Sequence, residues 1–212
     1  MKVFYAIVCA AMIFSATGCQ SVYYASMEKL GIEKRELMVD RVEDARDEQE
    51  EAKETFADAL EAFTAVTEYQ GGDLEAVYSK INAAYEDSLK AAERVSKRID
   101  KVESVAEALF AEWEQELESY QSASLRSSSQ RSLRETRASY NGMVTKMRKA
   151  EASMAPVVEL FQDQVLYLKH NLNARAIAAL DVEVVKIQEE VASLVKEMEA
   201  SIDEANAFMS RL

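Results

Sequence analysis

The sequence predicts an all-α protein, an elongated antiparallel helical bundle or coiled coil of four long helices. Its 212 residues include one proline and five glycines, and residues that favour helices are abundant. Apolar residues recur at spacings of three and four from Met38 to Phe208, which is the heptad pattern of packed helices. The pattern divides into four segments of similar length, and similar lengths with short connections favour an up-down-up-down bundle.

The first 18 residues predict a signal peptide. Residues 3–14 are an apolar run that is too short to span a bilayer, which requires about 20 residues, and small residues separate this run from Cys19. The stretch Ala-Thr-Gly-Cys at 16–19 resembles the lipobox of bacterial lipoproteins. That resemblance implies cleavage before Cys19 and acylation of this residue. The alternative is an ordinary secretory signal that leaves the thiol free.

Residues 19–30 are predicted to be a lipidated tether and residues 31–212 the helical bundle domain. Tyr23 and Tyr24 in the tether either sit at a membrane interface, where amphipathic rings are favoured, or pack on the base of the bundle. Cys9 leaves with the signal, so the exported chain holds one cysteine and no internal disulfide. Its stability must therefore come from packing.

The first helix is predicted from a heptad stripe with one polar interruption. Gly71 and Gly72 should end it, because glycine adopts the left-handed conformation of a C-cap at little cost. Asp73 suits the N-cap of the second helix. The stripe consists of Met38, Val42, Ala45, Gln49, Ala52, Phe56, Ala59, Phe63 and Val66.

The second helix carries a stripe that Tyr78 and Tyr85 widen, so its apolar face is broad enough for more than one partner helix. This stripe consists of Leu74, Val77, Ile81, Ala84, Ser88, Ala91, Val95, Ile99, Val102, Val105, Leu109 and Trp113. Four aromatic residues at heptad-like positions are interpreted as core packing, not as a ligand cage: Trp113, Tyr120, Tyr140 and Phe161.

The third helix follows a serine-rich stretch, residues 119–132. Serine favours turns and caps, and Ser127 and Ser132 each have a Gln or Glu three residues later, which is the capping-box spacing. The helix is therefore predicted to begin there. Pro156 predicts a kink or the start of a fresh helix. The stripe consists of Leu133, Arg137, Tyr140, Val144, Met147, Glu151, Met154, Val158, Phe161, Val165, Leu168 and Leu172.

The fourth helix has the most regular stripe. Between Leu172 and Ile177 the heptad spacing slips by one residue beside two asparagines, which cap helices well. The slip predicts a reversal at residues 171–174, although a stutter in a continuous helix would produce the same pattern. The stripe consists of Ile177, Leu180, Val184, Ile187, Val191, Leu194, Met198, Ala205 and Phe208.

Charge is distributed unevenly along the chain. The formal net charge is −13, whereas residues 126–149 carry seven basic side chains and one acidic one. Either the basic third helix lies beside the acidic first helix, where complementary charges select the pairing, or the segment binds an anionic lipid or cell-wall surface. The basic residues are Arg126, Arg131, Arg134, Arg137, Lys146, Arg148 and Lys149.

Several function classes are disfavoured. An acidic chain is a poor ligand for nucleic acid, because binding there depends on Lys and Arg displacing counterions from phosphates. The acidic run at 39–54 is interpreted as a solvated helix face, since a di-iron bundle requires several histidines and this chain has only His170. No nucleophile elbow, phosphate loop or zinc motif occurs. We therefore expect no enzymatic activity, no metal and no cofactor.

Four stretches resemble one bacterial family: GIEKRELMVDRVEDARDEQEEAK, GGDLEAVYSKI, SKRIDKVESVAEALFAEWEQELESY and, above all, DQVLYLKHNLNARAIAAL. They are similar to the domain-of-unknown-function 2959 family of proteins with lipoprotein signals. The resemblance covers almost the whole chain from Cys19 onward. It implies a helical lipoprotein that faces the periplasm, and it carries no catalytic residue because the family has no established activity.

These patterns predict a non-enzymatic, lipid-anchored coiled-coil protein that acts as an envelope scaffold or protein-interaction module. The alternative is a binder of anionic envelope polymer or lipid through residues 126–149. Gln20 follows the cysteine, and lipoproteins retained at the inner membrane usually have an aspartate there, so the outer membrane is expected. The protein partner is open, and heptad stripes are equally compatible with self-association.

Overall fold

The computed structural model describes residues 33–67, 73–171 and 174–212, with every side chain in them except those of residue 67 and residues 174–182. In this part of the chain there are four long α-helices and no strand, which confirms the all-α prediction. A short 3-10 turn, Leu117–Ser119, follows the second helix. The helices are α1 (Lys34–Thr67), α2 (Leu74–Glu116), α3 (Ala123–His170) and α4 (Ala174–Met209).

Ion pairs between neighbouring helices give the topology. Lys34 of α1 pairs with Glu112 of α2, and Glu48 pairs with Arg94, so the two helices run antiparallel. The ion pairs of α3 with α4, Lys146 with Glu204 and Lys149 with Glu197, show that these two helices are also antiparallel. Each helix packs chiefly against the helices before and after it, and α1 closes the ring against α4. The chain is therefore an up-down-up-down bundle in which α1 and α3 lie diagonally opposite.

We name the two ends of the bundle by what they carry. The proximal end holds the start of α1, the α2–α3 connection and the carboxyl terminus. The distal end holds the α1–α2 and α3–α4 connections. The predicted signal peptide and tether, residues 1–30, lie outside the described residues, as do Gly71 and Gly72.

The core fills the centre of the ring along its length. Every residue predicted for the α1 stripe is buried, and so are the described members of the α4 stripe from Val184 to Phe208. Phe161 of α3 lies between two rings of α1, stacked on Phe63 with centroids 4.5 Å apart and on Phe56 at 6.2 Å. Heptad packing in these helices is confirmed.

The polar interruption in α1 forms a buried polar contact. Gln49 is fully buried and its Oε1 accepts a hydrogen bond of 2.8 Å from Ser201 Oγ of α4. The amide of Gln49 points at the Met147 carbonyl at 3.5 Å. Because a buried amide is costly when unpaired, these contacts favour one register of α1 against α4.

The predicted core of α3 is partly wrong. Val144, Glu151 and Val158 are half-buried, and the residues one position earlier take the core positions instead. The buried residues of α3, which include the predicted Leu133 and Val165, are Leu133, Met143, Met147, Ala150, Met154, Val157, Phe161, Gln164, Val165 and Leu168. The neighbouring helices decide which of two adjacent positions faces inward.

The aromatic prediction is only partly correct at the proximal end of α2. Trp113 and Leu109 are half-buried and pack against the core, while Phe110 and Leu117 are buried. Tyr120, predicted as core, is 41% exposed. It lies in the connection after α2, where the ring of four helices no longer surrounds it.

Helix boundaries confirm some predictions and correct others. Asp73 is the N-cap of α2, and its side chain accepts hydrogen bonds from the backbone N–H groups of Glu75 and Ala76. The prediction that α3 begins at Ser127 or Ser132 is wrong: Ser122 is the N-cap and the helix starts at Ala123. Serine is an acceptable helix residue on an exposed face, so the first available cap is used.

The two remaining predicted helix breaks, at Pro156 and at residues 171–174, have different outcomes. At Pro156 α3 continues without interruption, so no fresh helix begins there. At the α3–α4 connection the helix ends at His170, and the Asn171 side chain donates to the Tyr167 carbonyl at 2.9 Å. Since α4 then packs antiparallel on α3, the predicted reversal at 171–174 is confirmed and the continuous helix is wrong.

Candidate functional site

Cys19, the predicted lipidation site, lies outside the described residues. Within the part of the chain that the structure describes, no helix is both long and apolar enough to cross a bilayer. The described chain at the proximal end starts at Glu33 and enters α1 at once. A tether running from Cys19 would therefore join the bundle at its proximal end.

The structure divides the seven predicted basic residues into two groups. Four form ion pairs with neighbouring helices, and we call them the paired half: Arg137, Lys146, Arg148 and Lys149. Three are exposed and form no hydrogen bond or ion pair with any described residue, and we call them the free half: Arg126, Arg131 and Arg134.

Arg148 is the centre of the paired half. Its guanidinium binds Asp100 at 2.6 Å and Glu103 at 2.5 Å, both on α2, and Glu151 of its own helix at 2.8 Å. The hydrogen bond to Glu103 raises the pKa of Arg148 further above its ordinary value, and this gain exceeds the opposing effect of burial. The cluster joins α2 to α3.

The other members of the paired half hold both neighbours of α3. Lys146 Nζ lies 2.7 Å from Glu204 Oε2 and Lys149 Nζ lies 2.8 Å from Glu197 Oε1, so both reach α4. The hydrogen bond from Lys146 lowers the pKa of Glu204. Each such surface pair is worth roughly 0–1 kcal/mol, so these pairs chiefly select the neighbour and the register.

Arg137 stands at the boundary between the two halves. It reaches Glu114 of α2 at 2.7 Å, and its guanidinium lies 4.9 Å from the centre of the Phe110 ring. Tyr140, one turn further along α3, packs edge-on against the same ring at 5.4 Å. Burial, followed by the charge of Glu103, raises the pKa of Tyr140 to about 12.

Internal pairing of the basic segment was predicted, but the predicted partner helix is wrong. The paired half contacts acids of α2 and α4, and none of its ion pairs reaches α1. In a ring of four sequential helices the first and third are diagonal, so their surface side chains do not meet. Acids of α1 instead pair with α2: Asp44 with Arg98 at 2.9 Å and Glu51 with Arg94 at 2.9 Å.

The free half lies on a hairpin that passes the ends of α1 and α4. Lys34, at the start of α1, is level with Glu112, and Arg211, near the end of the chain, reaches Ser139 at 2.8 Å. Beyond these levels the described chain continues as α2 and α3 with their connection. We call residues 117–134 the hairpin tip.

The hairpin tip is ordered by a few contacts. Trp113 Nε1 donates to Ser129 Oγ at 2.8 Å, and Leu117 and Leu133 are buried between the two helices. Its outer surface is apolar as well as basic, since Leu125 is 59% exposed. Sequence reasoning missed Leu125 because it belongs to no stripe, although a leucine inside a serine-rich run was a visible signal.

A second feature is a groove between α1 and α2 in the distal half. Its volume is about 430 Å³, Ala59 and Ala62 form its buried floor, and Lys80 and Asp87 lie among its lining residues. Ala84, which lines the groove, and Val77 on the same side of α2 are stripe residues that remain half-buried. Tyr78 and Tyr85, which widen the stripe, are half-buried along its other edge and do not line the groove.

The acidic run at residues 39–54 and the single histidine, His170, form no metal site with the residues that the structure describes. Six of the eight carboxylates of residues 39–54 pair with arginines or lysines, and among the described residues no group of three or more acids, histidines or cysteines is placed to hold a metal ion. His170 is the exposed last residue of α3. A further cavity of about 430 Å³ lies at the proximal end, lined by residues that include Leu109, Trp113 and Leu212. The surfaces available to a partner therefore include the hairpin tip and the groove.

Two comparisons with known proteins bear on these surfaces. A family model described as "Protein of unknown function (DUF2959)" matches residues 23–212, which includes the hairpin tip and the groove. No curated protein matches the chain.

Proposed function

The chain belongs to the family of unknown function DUF2959, and we propose that it is a non-enzymatic, lipid-anchored bundle that docks another protein in the periplasm. In this proposal acylated Cys19 holds the proximal end at the outer membrane. The bundle then projects from the membrane, and its distal half is presented to a partner.

The observation that carries the proposal is the half-buried face of α2. Ala84 lines the groove and, with Val77 on the same side of α2, is half-buried, so the apolar face of this helix extends beyond what α1 covers. A helix face that is wider than its neighbours require is suited to one more helix. Recognition of an amphipathic helix in a groove is a common mode of protein binding.

The chemistry of the groove favours a helix as its occupant. Small side chains on the floor, Ala59 and Ala62, allow close approach of a backbone. Acidic and basic side chains on the rim, Asp58, Asp87 and Lys80, supply both signs of charge for orientation. Contacts of this kind fix the direction and register of the partner more than they add affinity.

Photocrosslinking in cells tests the proposal. A photoreactive amino acid at Asp58, on the groove rim, is compared with one at Glu189, an exposed acid of α4. The hydrogen bond between Gln49 and Ser201 gives the α1–α4 register, and by that register Glu189 lies at about the height of Asp58, within roughly one helical turn. We expect one discrete adduct from Asp58 and none from Glu189.

Two further variants define the result. Ala84→Trp should fill the groove and remove the adduct, and Cys19→Ala should release the protein from the membrane fraction and reduce the adduct. Equal adducts at both positions, or none at Asp58, contradict the docking proposal. An adduct of twice the chain mass would identify a second copy of this chain as the occupant of the groove. The groove would then serve self-association and would not bind a different protein.

A further inference from the structure

The free half and the start of α1 lie at the same end of the bundle. Lys34 and Glu112, which form an ion pair, mark the level at which α1 begins. Arg137, which pairs with Glu114, lies near this level on α3, so the hairpin tip extends from it by roughly four turns of α3. Between Cys19 and Glu33 there are 13 residues, and an extended chain spans at most about 3.6 Å per residue. An acyl chain on Cys19 therefore keeps the start of α1 within roughly 50 Å of the bilayer, and the hairpin tip is at this same end of the bundle.

The charge of the α3 side of the tip complements an anionic surface. Arg126, Arg131 and Arg134 are exposed without a described partner. One exposed acid, Glu135, follows Arg134 on the same helix, and across on α2 the acids Glu112 and Glu114 are held by Lys34 and Arg137. Arg131 and Arg134 are three positions apart and are neighbours on the helix, and Arg126 lies about two turns before Arg134, closer to the apex. The exposed acid of the tip, Glu118, belongs to the 3-10 turn, and Glu116 lies just before the tip at the end of α2.

The apolar residues of the tip suit a lipid interface. Leu125 is 59% exposed and Tyr120 is 41% exposed, and both lie at the apex beside Arg126. Tyrosine rings are favoured at the level of lipid headgroups, and arginine can place its stem in an apolar layer with its charge in the headgroups. A soluble polyanion would use the arginines but would give these two side chains no apolar environment.

We propose that the hairpin tip docks on the anionic phospholipid headgroups of the membrane that anchors the chain. This inference rests on the acylation of Cys19 in the proposed function. Docking adds a second attachment to the acyl anchor and fixes the direction of the bundle axis relative to the membrane. Each arginine near an anionic bilayer favours binding, and removal of all three should lower the ratio of docked to undocked tip by roughly 100-fold.

A single fluorophore on the full lipidated chain measures docking. Ser128→Cys places an environment-sensitive thiol label on the tip, and Asp163→Cys places it near the distal end of the same helix; both positions are exposed. The chain is reconstituted in phosphatidylcholine vesicles with or without about 30% phosphatidylglycerol, a share chosen to give a strongly anionic surface. We expect the label at 128 to shift to an apolar environment only with phosphatidylglycerol, and the label at 163 to remain aqueous.

Matched charge variants separate the tip from net charge. Arg126→Gln, Arg131→Gln and Arg134→Gln together should abolish the shift at position 128. Lys101→Gln, Lys186→Gln and Lys196→Gln remove three equally exposed charges elsewhere and should leave it. Raising the salt concentration to about 1 M should weaken docking, because the Debye length falls to about 3 Å.

Each outcome has a distinct meaning. A label at 128 that stays aqueous on anionic vesicles, or that shifts equally without phosphatidylglycerol, overturns the headgroup proposal. If the label at 128 shifts on neutral vesicles only after a soluble polyanion is added, the tip binds an anionic polymer. That result also overturns the headgroup proposal. The acyl anchor is tested separately with the wild-type chain. If a thiol-reactive label attaches to this chain, Cys19 is not acylated, and the proposed function fails independently of the headgroup proposal.

Discussion

The paired half and the free half are two parts of one helix with the same kind of side chain and opposite fates. Arg148 is held by Asp100, Glu103 and Glu151, while Arg134, four turns earlier on α3, has no described partner. The sequence around them does not distinguish the two. The number of neighbouring helices does, because α3 has both α2 and α4 beside it at Arg148 and only α2 along most of the hairpin tip.

The contrast separates charges that choose the fold from charges available for function. Ion pairs of the paired half join α3 to α2 and to α4, and they agree with one antiparallel ring. The free half contributes no hydrogen bond or ion pair between helices in the described chain. Substitutions in the two halves should therefore affect different properties, and the following experiments measure the difference.

The largest difference is expected between the core of the ring and the surface of the tip. Phe161→Ala should destabilise by about 3–5 kcal/mol, because this ring is fully buried and stacked between Phe56 and Phe63. Leu125→Ala should change stability by less than about 0.5 kcal/mol, as is usual for an exposed side chain. Urea denaturation followed by circular dichroism measures both, and similar losses would contradict the assigned core.

A smaller difference is expected between the arginines themselves. Arg148→Met should cost about 1–2 kcal/mol, because it leaves three carboxylates close together without their shared cation. Arg134→Met should be neutral within about 0.5 kcal/mol. If the free energy of unfolding falls equally in the two variants, Arg134 has a structural partner and the division into halves is wrong.

The helix caps compare the two ends of the bundle. Asp73→Ala should cost about 1 kcal/mol, because the carboxylate accepts from two backbone amides at 3.0 and 3.4 Å. Ser122→Ala removes one longer bond, 3.4 Å from Leu125 N, and should cost less. Hydrogen exchange should locate the second effect in the first turns of α3; protection lost throughout the bundle would show that the tip supports the whole fold.

The smallest effect depends on pH at the boundary between the halves. The pKa of Tyr140 is about 12 in the fold against 10.0 for an ordinary tyrosine, so the unfolded chain loses this proton first. The contribution of protonated Tyr140 to the free energy of unfolding is complete below pH 10 and is lost as the pH rises to about 12. Between these values the wild type should lose about 1 kcal/mol more than Tyr140→Phe; parallel curves would show that this phenol is solvated.

Much of the fold could be predicted from heptad spacing alone. The stripes of α1 and α4 are correct at their described positions, where most core residues have a polar residue on at least one side. In α3 the pattern is ambiguous, since Met143 and Val144, like Val157 and Val158, are adjacent apolar residues. Only the packing of α2 and α4 determines which member of each pair is buried.

The candidate site was less predictable. The sequence identified all seven basic residues as one segment, but their division depends on where α1 and α4 end relative to α3. That is a property of the assembled ring, which local spacing does not contain. The start of α3 at Ser122 was missed for a related reason, because several serines satisfy the cap pattern equally well and contacts such as Trp113 with Ser129 select among them.

The most direct test of this account compares two triple variants of the full chain in detergent micelles. One replaces Arg126, Arg131 and Arg134 by glutamine, and the other replaces Arg137, Lys146 and Arg148, so both lose the same charge. We expect the first to unfold in urea within about 0.5 kcal/mol of the wild type and the second to lose about 2–3 kcal/mol, less at 1 M salt. Equal losses in the two variants would contradict the division of this helix into a structural half and a half available for binding.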